Sequence, residues 1–142
     1  MAWKEYKMLC TVDSHVEGMT CDAPYVPVHM TIGGDVFDSQ GMIDSGCNTT
    51  MASHEVAEFL EIDLYKLPTV YVGAAGGFFL KGKQAKIKMK VDDLGDYFET
   101  PVVFVDNLKP QVLLGQQVLF EKFDVLFERH KSTFSIRIAG EE

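Results

Sequence analysis

An all-β fold, barrel or sandwich, is what this sequence predicts, on three observations. Short β-rich runs recur along the chain with turn residues between them. Only residues 53–60 carry a helical pattern of any length. At 142 residues the chain has the size of one domain, with no linker, low-complexity tract or internal repeat to divide it.

Taken in order, residues 6–12 are β-rich and residues 13–23 form a mostly polar loop. Residues 25–32 alternate as a strand, and Gly33-Gly34-Asp35 turns the chain back into Val36 and Phe37. Residues 40–43 lead into Asp44-Ser45-Gly46. Ser53 is placed to cap a helix whose apolar face is Val56, Phe59 and Leu60, with Glu55 suited to its first turn. Residues 69–73 and 78–81 flank the glycine-rich Gly73-Ala74-Ala75-Gly76-Gly77 and make a hairpin. Residues 86–91 alternate basic and apolar side chains, residues 97–104 form another strand, and residues 112–114 a short buried one. A short helix is expected at residues 115–120. Residues 123–127 and 133–138 close the chain as a hairpin around residues 128–132.

Composition removes several functions. Thirteen Lys and Arg against twenty-one Asp and Glu leave a net charge of −8, which does not supply the basic surface a phosphate backbone demands. No nucleic-acid partner is expected, and the lysines of residues 81–90 read as the wet face of a strand. No apolar run approaches the roughly 20 residues of a spanning helix, so no membrane partner is expected. Met1-Ala2-Trp3-Lys4-Glu5 lacks the apolar stretch of a secretory leader. The expected location is intracellular, most simply cytoplasmic, whether as a free chain or as a domain of a larger polyprotein. Cys10, Cys21 and Cys47 are too few and too unevenly spaced for a disulfide framework. Cys10, His15, Cys21 and His29 fit no zinc spacing, and Asp92-Asp93 with Gly95-Asp96 reads as a solvated turn, not a calcium loop. No metal and no cofactor are expected.

The chemistry concentrates in Met42-Ile43-Asp44-Ser45-Gly46-Cys47-Asn48-Thr49-Thr50. Two apolar residues run into an acid, a hydroxyl and a glycine, so a buried strand would present a carboxylate at its end. Gly46 allows a sharp turn and the close approach of a substrate chain. The same three residue types also build ordinary turns. Asn48-Thr49-Thr50 matches a glycosylation sequon, read here as accidental, with Thr50 hydrogen-bonding near the loop. Cys47 with His54 or His130 would be the parts of a cysteine hydrolase, but no oxyanion-loop pattern surrounds the cysteine.

Two more features follow in order: the glycine-rich hairpin Tyr71-Val72-Gly73-Ala74-Ala75-Gly76-Gly77-Phe78-Phe79, and Val112-Leu113-Leu114-Gly115. In this order and spacing, with Tyr25-Val26-Pro27-Val28 and Ile32-Gly33-Gly34 before them, the sequence resembles the retropepsin-like (retroviral-type) aspartic proteases over residues 25–138. The resemblance implies a closed β-barrel of retropepsin type with one or two short helices. It implies Asp44, Ser45 and Gly46 as the catalytic triplet. Gly73 to Phe79 correspond to a flap, and Leu113, Leu114 and Gly115 to the structural motif. Substrate-binding positions would be Cys47, Asn48, Gly73, Ala74, Ala75 and Gly76. Residues 25–142 would be the protease domain, and residues 1–24 an N-terminal extension or interface strand. Cys47 stands where the family usually has a small residue such as Ala, and Gln116 and Gln117 where viral members carry an Arg-Asn/Asp pair. From Phe123 onward the chain resembles cellular DNA-damage-inducible-type and LTR-retrotransposon proteases.

Only one Asp-Ser-Gly occurs in the sequence, while peptide hydrolysis of this type uses two carboxylates. The expected enzyme is therefore a homodimer acting on an extended peptide, its Asp44 residues facing each other across a two-fold axis. The rival expectation is a non-catalytic module of the same fold that dimerises or binds peptides.

Overall fold

The computed structural model describes residues 3–12, 20–73 and 75–140. Among these residues twelve strands are seen: β1 Lys4–Lys7, β2 Leu9–Val12, β3 Thr20–Ala23, β4 Tyr25–Thr31, β5 Phe37–Ile43, β6 Met51–Ser53, β7 Thr69–Gly73, β8 Phe79–Val91, β9 Phe98–Val105, β10 Val112–Leu114, β11 Phe123–Glu128 and β12 Thr133–Ile138. The one α-helix among the described residues, α1, is His54–Phe59. Among the described residues no helix is long and apolar enough to cross a membrane.

Seven strands form one sheet in the order β4-β5-β10-β6-β9-β8-β7, and β4 also pairs with β8. That extra pairing closes six of the strands into a barrel and leaves β7 hanging from β8 as the outer arm of a hairpin. Closure removes the open edges that an all-β chain otherwise exposes.

Strand alternation decides what each strand buries. Val26, Val28 and Met30 of β4, Ile87, Met89 and Val91 of β8, Val102 and Phe104 of β9, and Val112 and Leu114 of β10 point into the barrel core. Each such side chain stabilises the fold by about 1.5–3 kcal/mol relative to exposure. The intervening residues Met51, Val103, Val105 and Leu113 form a second buried cluster with Val72 of β7. Two apolar faces thus come from the same strands, one filling the barrel and one lying beneath the β7–β8 hairpin.

β1 pairs with β12, and β12 with β11, in a separate three-stranded sheet. Tyr6 lies opposite Phe134 in register, and their rings stack at 5.2 Å. Lys4 Nζ donates to Asp92 Oδ2 at 2.7 Å and to Asp93 Oδ1 at 2.8 Å, and Tyr6 Oη donates to Asp92 Oδ2 at 2.7 Å. The turn after β8, expected to be merely solvated, is therefore the anchor of the N-terminal strand.

The structure departs from the expected elements in several places. The run at residues 6–12 is broken at Met8, whose N–H donates to Ser132 O at 2.8 Å. Within the expected loop at 13–23, Thr20–Ala23 is a strand paired with β2, because β2 offers a backbone edge that composition does not reveal. Residues 13–19, His15 among them, lie outside the described residues. The two expected strands at 78–81 and 86–91 are one thirteen-residue strand, which finds β7, β9 and β4 as successive partners. Ser53 sits at the N-cap of α1, but its hydroxyl makes no capping bond. It belongs to β6, opposite Val105, and strand pairing fixes its side chain in a buried position with no hydrogen-bond partner among the described residues. Gln116–Phe120 forms a single wide helical turn.

Candidate active site

Asp44 comes directly after β5. Its N–H donates to Leu114 O at 2.9 Å, which carries the parallel β5–β10 pairing one residue beyond the strand. β5 and β6 are joined by the Asp44 loop, and β10 runs between them, hydrogen-bonded to both. The strand that braces the loop therefore comes from about 70 residues later in the chain.

Within the loop, Gly46 N–H donates to Asp44 Oδ1 at 2.9 Å, and Cys47 N–H to Asp44 O at 3.3 Å. Asp44 is half-buried, while Ser45 and Gly46 are exposed. The carboxylate thus keeps one fixed donor and an open side.

The chain after β10 locks the loop from below. Gln116 N–H donates to Cys47 O at 2.7 Å and Gln117 N–H to Asn48 O at 2.8 Å. The Gln116 side chain donates from Nε2 to Ser45 O. Thr50 Oγ1 accepts from Gly115 N–H at 3.2 Å and donates to Gln117 O at 3.5 Å, which occupies the hydroxyl of the sequon. A Cβ on Gly115 would lie 2.4 Å from Thr49 O and 2.8 Å from Cys47 O, so only glycine fits this close approach of two backbones.

β7 and β8 form the hairpin above the loop, with Val72 opposite Leu80 and Gly73 opposite Phe79. Gly76 and Gly77 at its tip have φ of 80° and 79°, a left-handed turn that side-chain-bearing residues seldom adopt. Alternation turns Val72 and Leu80 inward and leaves Tyr71 and Phe79 exposed on the hairpin, and Phe78, just before β8, is exposed as well.

Between loop and hairpin lies a cleft of about 570 Å³. Asp44, Gly46 and Cys47 line it from the loop, Gly73 and Leu80 from the hairpin, and Met51, Leu108 and Leu113 from the floor. The thiol of Cys47 donates to Thr49 O at 3.2 Å. Acid and apolar wall are thus combined in one groove.

Of the expected site residues, Asp44, Gly46, Cys47, Gly73 and Leu113 are brought together here. Ser45 adjoins the cleft in sequence and faces solvent. Asn48 and Gly76 do not line it, and Leu114 and Gly115 act beneath it in the core and the brace. Ala74 lies outside the described residues, and Ala75 belongs to the hairpin tip. Sequence reasoning missed Met51, Leu80, Leu108 and Gln116. The inward register of Leu80 with Val72 was open to inference from the hairpin alternation; the other three depend on distant pairings. His54 lies outside the cleft, 3.7 Å from Asp106, beside a separate pocket of about 250 Å³.

No family model matches the sequence, and no curated protein matches it. Among solved structures the chain is similar to the crystal structure of a retropepsin-like aspartic protease from Rickettsia conorii. The two share a TM-score of 0.58 and 14% identity over 96% of this chain and 94% of that chain. Both the ring of six strands and this likeness give the chain the closed, all-β barrel of retropepsin type.

Proposed function

We propose that the chain is an aspartic endopeptidase, active as a homodimer in which Asp44 and its two-fold mate share one proton. The observation that carries this is the Asp44 carboxylate itself. It is held by Gly46 N–H at the wall of an apolar cleft beneath a glycine-tipped hairpin.

Two carboxylates brought face to face do not both ionise readily, so the pair keeps one proton between them. The ionised member takes a proton from a water as that water attacks the scissile carbonyl carbon. The protonated member gives its proton to the carbonyl oxygen. Collapse of the tetrahedral intermediate breaks the C–N bond, with a proton delivered to the leaving nitrogen, and yields one acid and one amine. The substrate would lie as an extended strand between loop and hairpin, bonded through main-chain groups. Gly46, Asn48, Gly73, Ala74, Ala75 and Gly76 are the proposed contacts, with Cys47 at a side-chain pocket and the Ser45 hydroxyl bonding across the dimer axis. The sequence resemblance from Phe123 onward is what supports kinship with cellular DNA-damage-inducible-type and LTR-retrotransposon proteases.

An unbiased peptide library incubated with the wild type and with Asp44→Asn tests this. Cleavage by the wild type alone, blocked by a statine-type transition-state analogue, is the expected result. Peptides bound by both forms and cut by neither would mark a binding module instead.

A further inference from the structure

We propose that Gln116 is a positioning residue for the Asp44 carboxylate, acting through the Ser45–Gly46 peptide unit; the kinetic part of this rests on the proposed function. One planar amide joins the two side chains. Its carbonyl oxygen, on Ser45, accepts from Gln116 Nε2, and its N–H, on Gly46, donates to Asp44 Oδ1 at 2.9 Å. A peptide unit is rigid, so a donor that fixes the C=O end also fixes the direction of the N–H end. Hydrogen bonding at the oxygen further polarises the amide and strengthens its donation to the carboxylate.

The chemistry of the contact is unambiguous. A backbone carbonyl only accepts, so the glutamine must present its NH₂ group and not its oxygen. Gln116 is itself held in place, because its own N–H and that of Gln117 are tied to Cys47 O and Asn48 O. Without the side-chain bond, the Ser45–Gly46 unit sits on an exposed turn containing a glycine and is free to rotate about the bonds on either side. The carboxylate would then lose a fixed donor in addition to its orientation. Gln116 is neutral, so it steers Asp44 without adding a charge beside it.

Two variants of nearly the same length separate the possibilities. Gln116→Met removes the donor at every pH, whereas Gln116→Glu removes it only while the new carboxyl is ionised. In Gln116→Met we expect the Gly46 and Cys47 amides to exchange hydrogen about tenfold faster, with the Leu114 amide unchanged. On a cleaved peptide we expect kcat to fall about ten- to a hundredfold, with KM within about twofold, the size expected of a misplaced reacting group. Gln116→Glu should regain kcat relative to Gln116→Met as the pH falls. Wild-type exchange at Gly46 and Cys47, or a wild-type kcat, in Gln116→Met would overturn the proposal. If the wild type cuts no peptide, the proposed function fails and the exchange rates alone decide the role of Gln116. Should Gln116→Met not fold, the same comparisons are made with Gln116→Glu at low and neutral pH.

Discussion

Gly115 and Thr49 meet backbone to backbone, so closely that a methyl group on Gly115 would sit 2.4 Å from the Thr49 carbonyl oxygen. The contact is what lets the chain after β10 reach the underside of the Asp44 loop and hydrogen-bond Cys47 and Asn48. Because the obstructing atoms are backbone, they cannot swing aside as a side chain does. Gly115→Ala should lower stability by about 2–3 kcal/mol, the scale of core overpacking, and reduce cleavage by displacing the loop. A denaturant midpoint at the wild-type value would show that the two backbones separate without cost.

Asp44→Asn should behave differently. The amide oxygen of Asn can still accept from Gly46 N–H, which donates at 2.9 Å in the wild type, so the loop keeps its internal bond. What is lost is the titratable oxygen. We expect kcat/KM to fall by about a thousandfold or more, with a thermal midpoint within a degree or two of wild type. Cleavage at the wild-type rate would remove Asp44 from the mechanism.

The difference between these two positions explains what the sequence made legible. Asp44-Ser45-Gly46, the glycine-rich hairpin and Leu113-Leu114-Gly115 are local patterns whose chemistry can be named from neighbouring residues. Short alternating strands left barrel or sandwich open, and it was the resemblance carried by the order of these patterns that implied the closed barrel. Gln116, Met51 and Leu108 acquire meaning only once β10 passes between β5 and β6, a pairing set by chain topology. The same holds for Asp92, which reads locally as an exposed turn acid. Its partners Lys4 and Tyr6 lie more than eighty residues earlier. Ser53 shows the converse: a correct capping position whose hydroxyl does no capping, since strand pairing had already fixed the side chain.

The Asp92 cluster should make the docking of β1 depend on pH. Burial alone would raise the Asp92 carboxyl, but the hydrogen bonds from Lys4 and Tyr6 and the Lys4 charge outweigh it and hold it below its ordinary value of 3.8. A depressed carboxyl contributes stability above its unfolded value, and the contribution is lost as pH falls through the folded one. The hydrogen bonds to Asp92 and Asp93 raise Lys4 above 10.5, and burial, then the bond to Asp92, raises Tyr6 above 10.0. Their contributions are present below those values and lost as pH rises past them. Trp3, the single tryptophan, lies 4.3 Å from the Arg137 guanidinium on β12 and reports the docking. Its fluorescence should be constant between about pH 4 and 10 and change beyond either end, and Asp92→Asn should flatten the acid transition. An acid transition of unchanged size in Asp92→Asn would place its origin elsewhere.

The proposed dimer makes the most demanding prediction. With one Asp-Ser-Gly per chain, the proposed site of two carboxylates would exist only in an assembled pair, and the rate should follow the concentration of dimer. Well above the dissociation constant that concentration is proportional to total enzyme. Well below it, it is proportional to the square, so specific activity should fall linearly on dilution. Mixing supplies an independent check. When subunits are exchanged with an equal amount of Asp44→Asn at saturating concentration, a quarter of the pairs are wild type on both sides. Total chain has doubled, so activity should drop to about half that of the wild type alone. A ninefold excess of the variant should leave about a tenth. An enzyme that needs only its own Asp44 would keep full activity in both mixtures and a constant specific activity on dilution, and either result would exclude a shared pair of carboxylates.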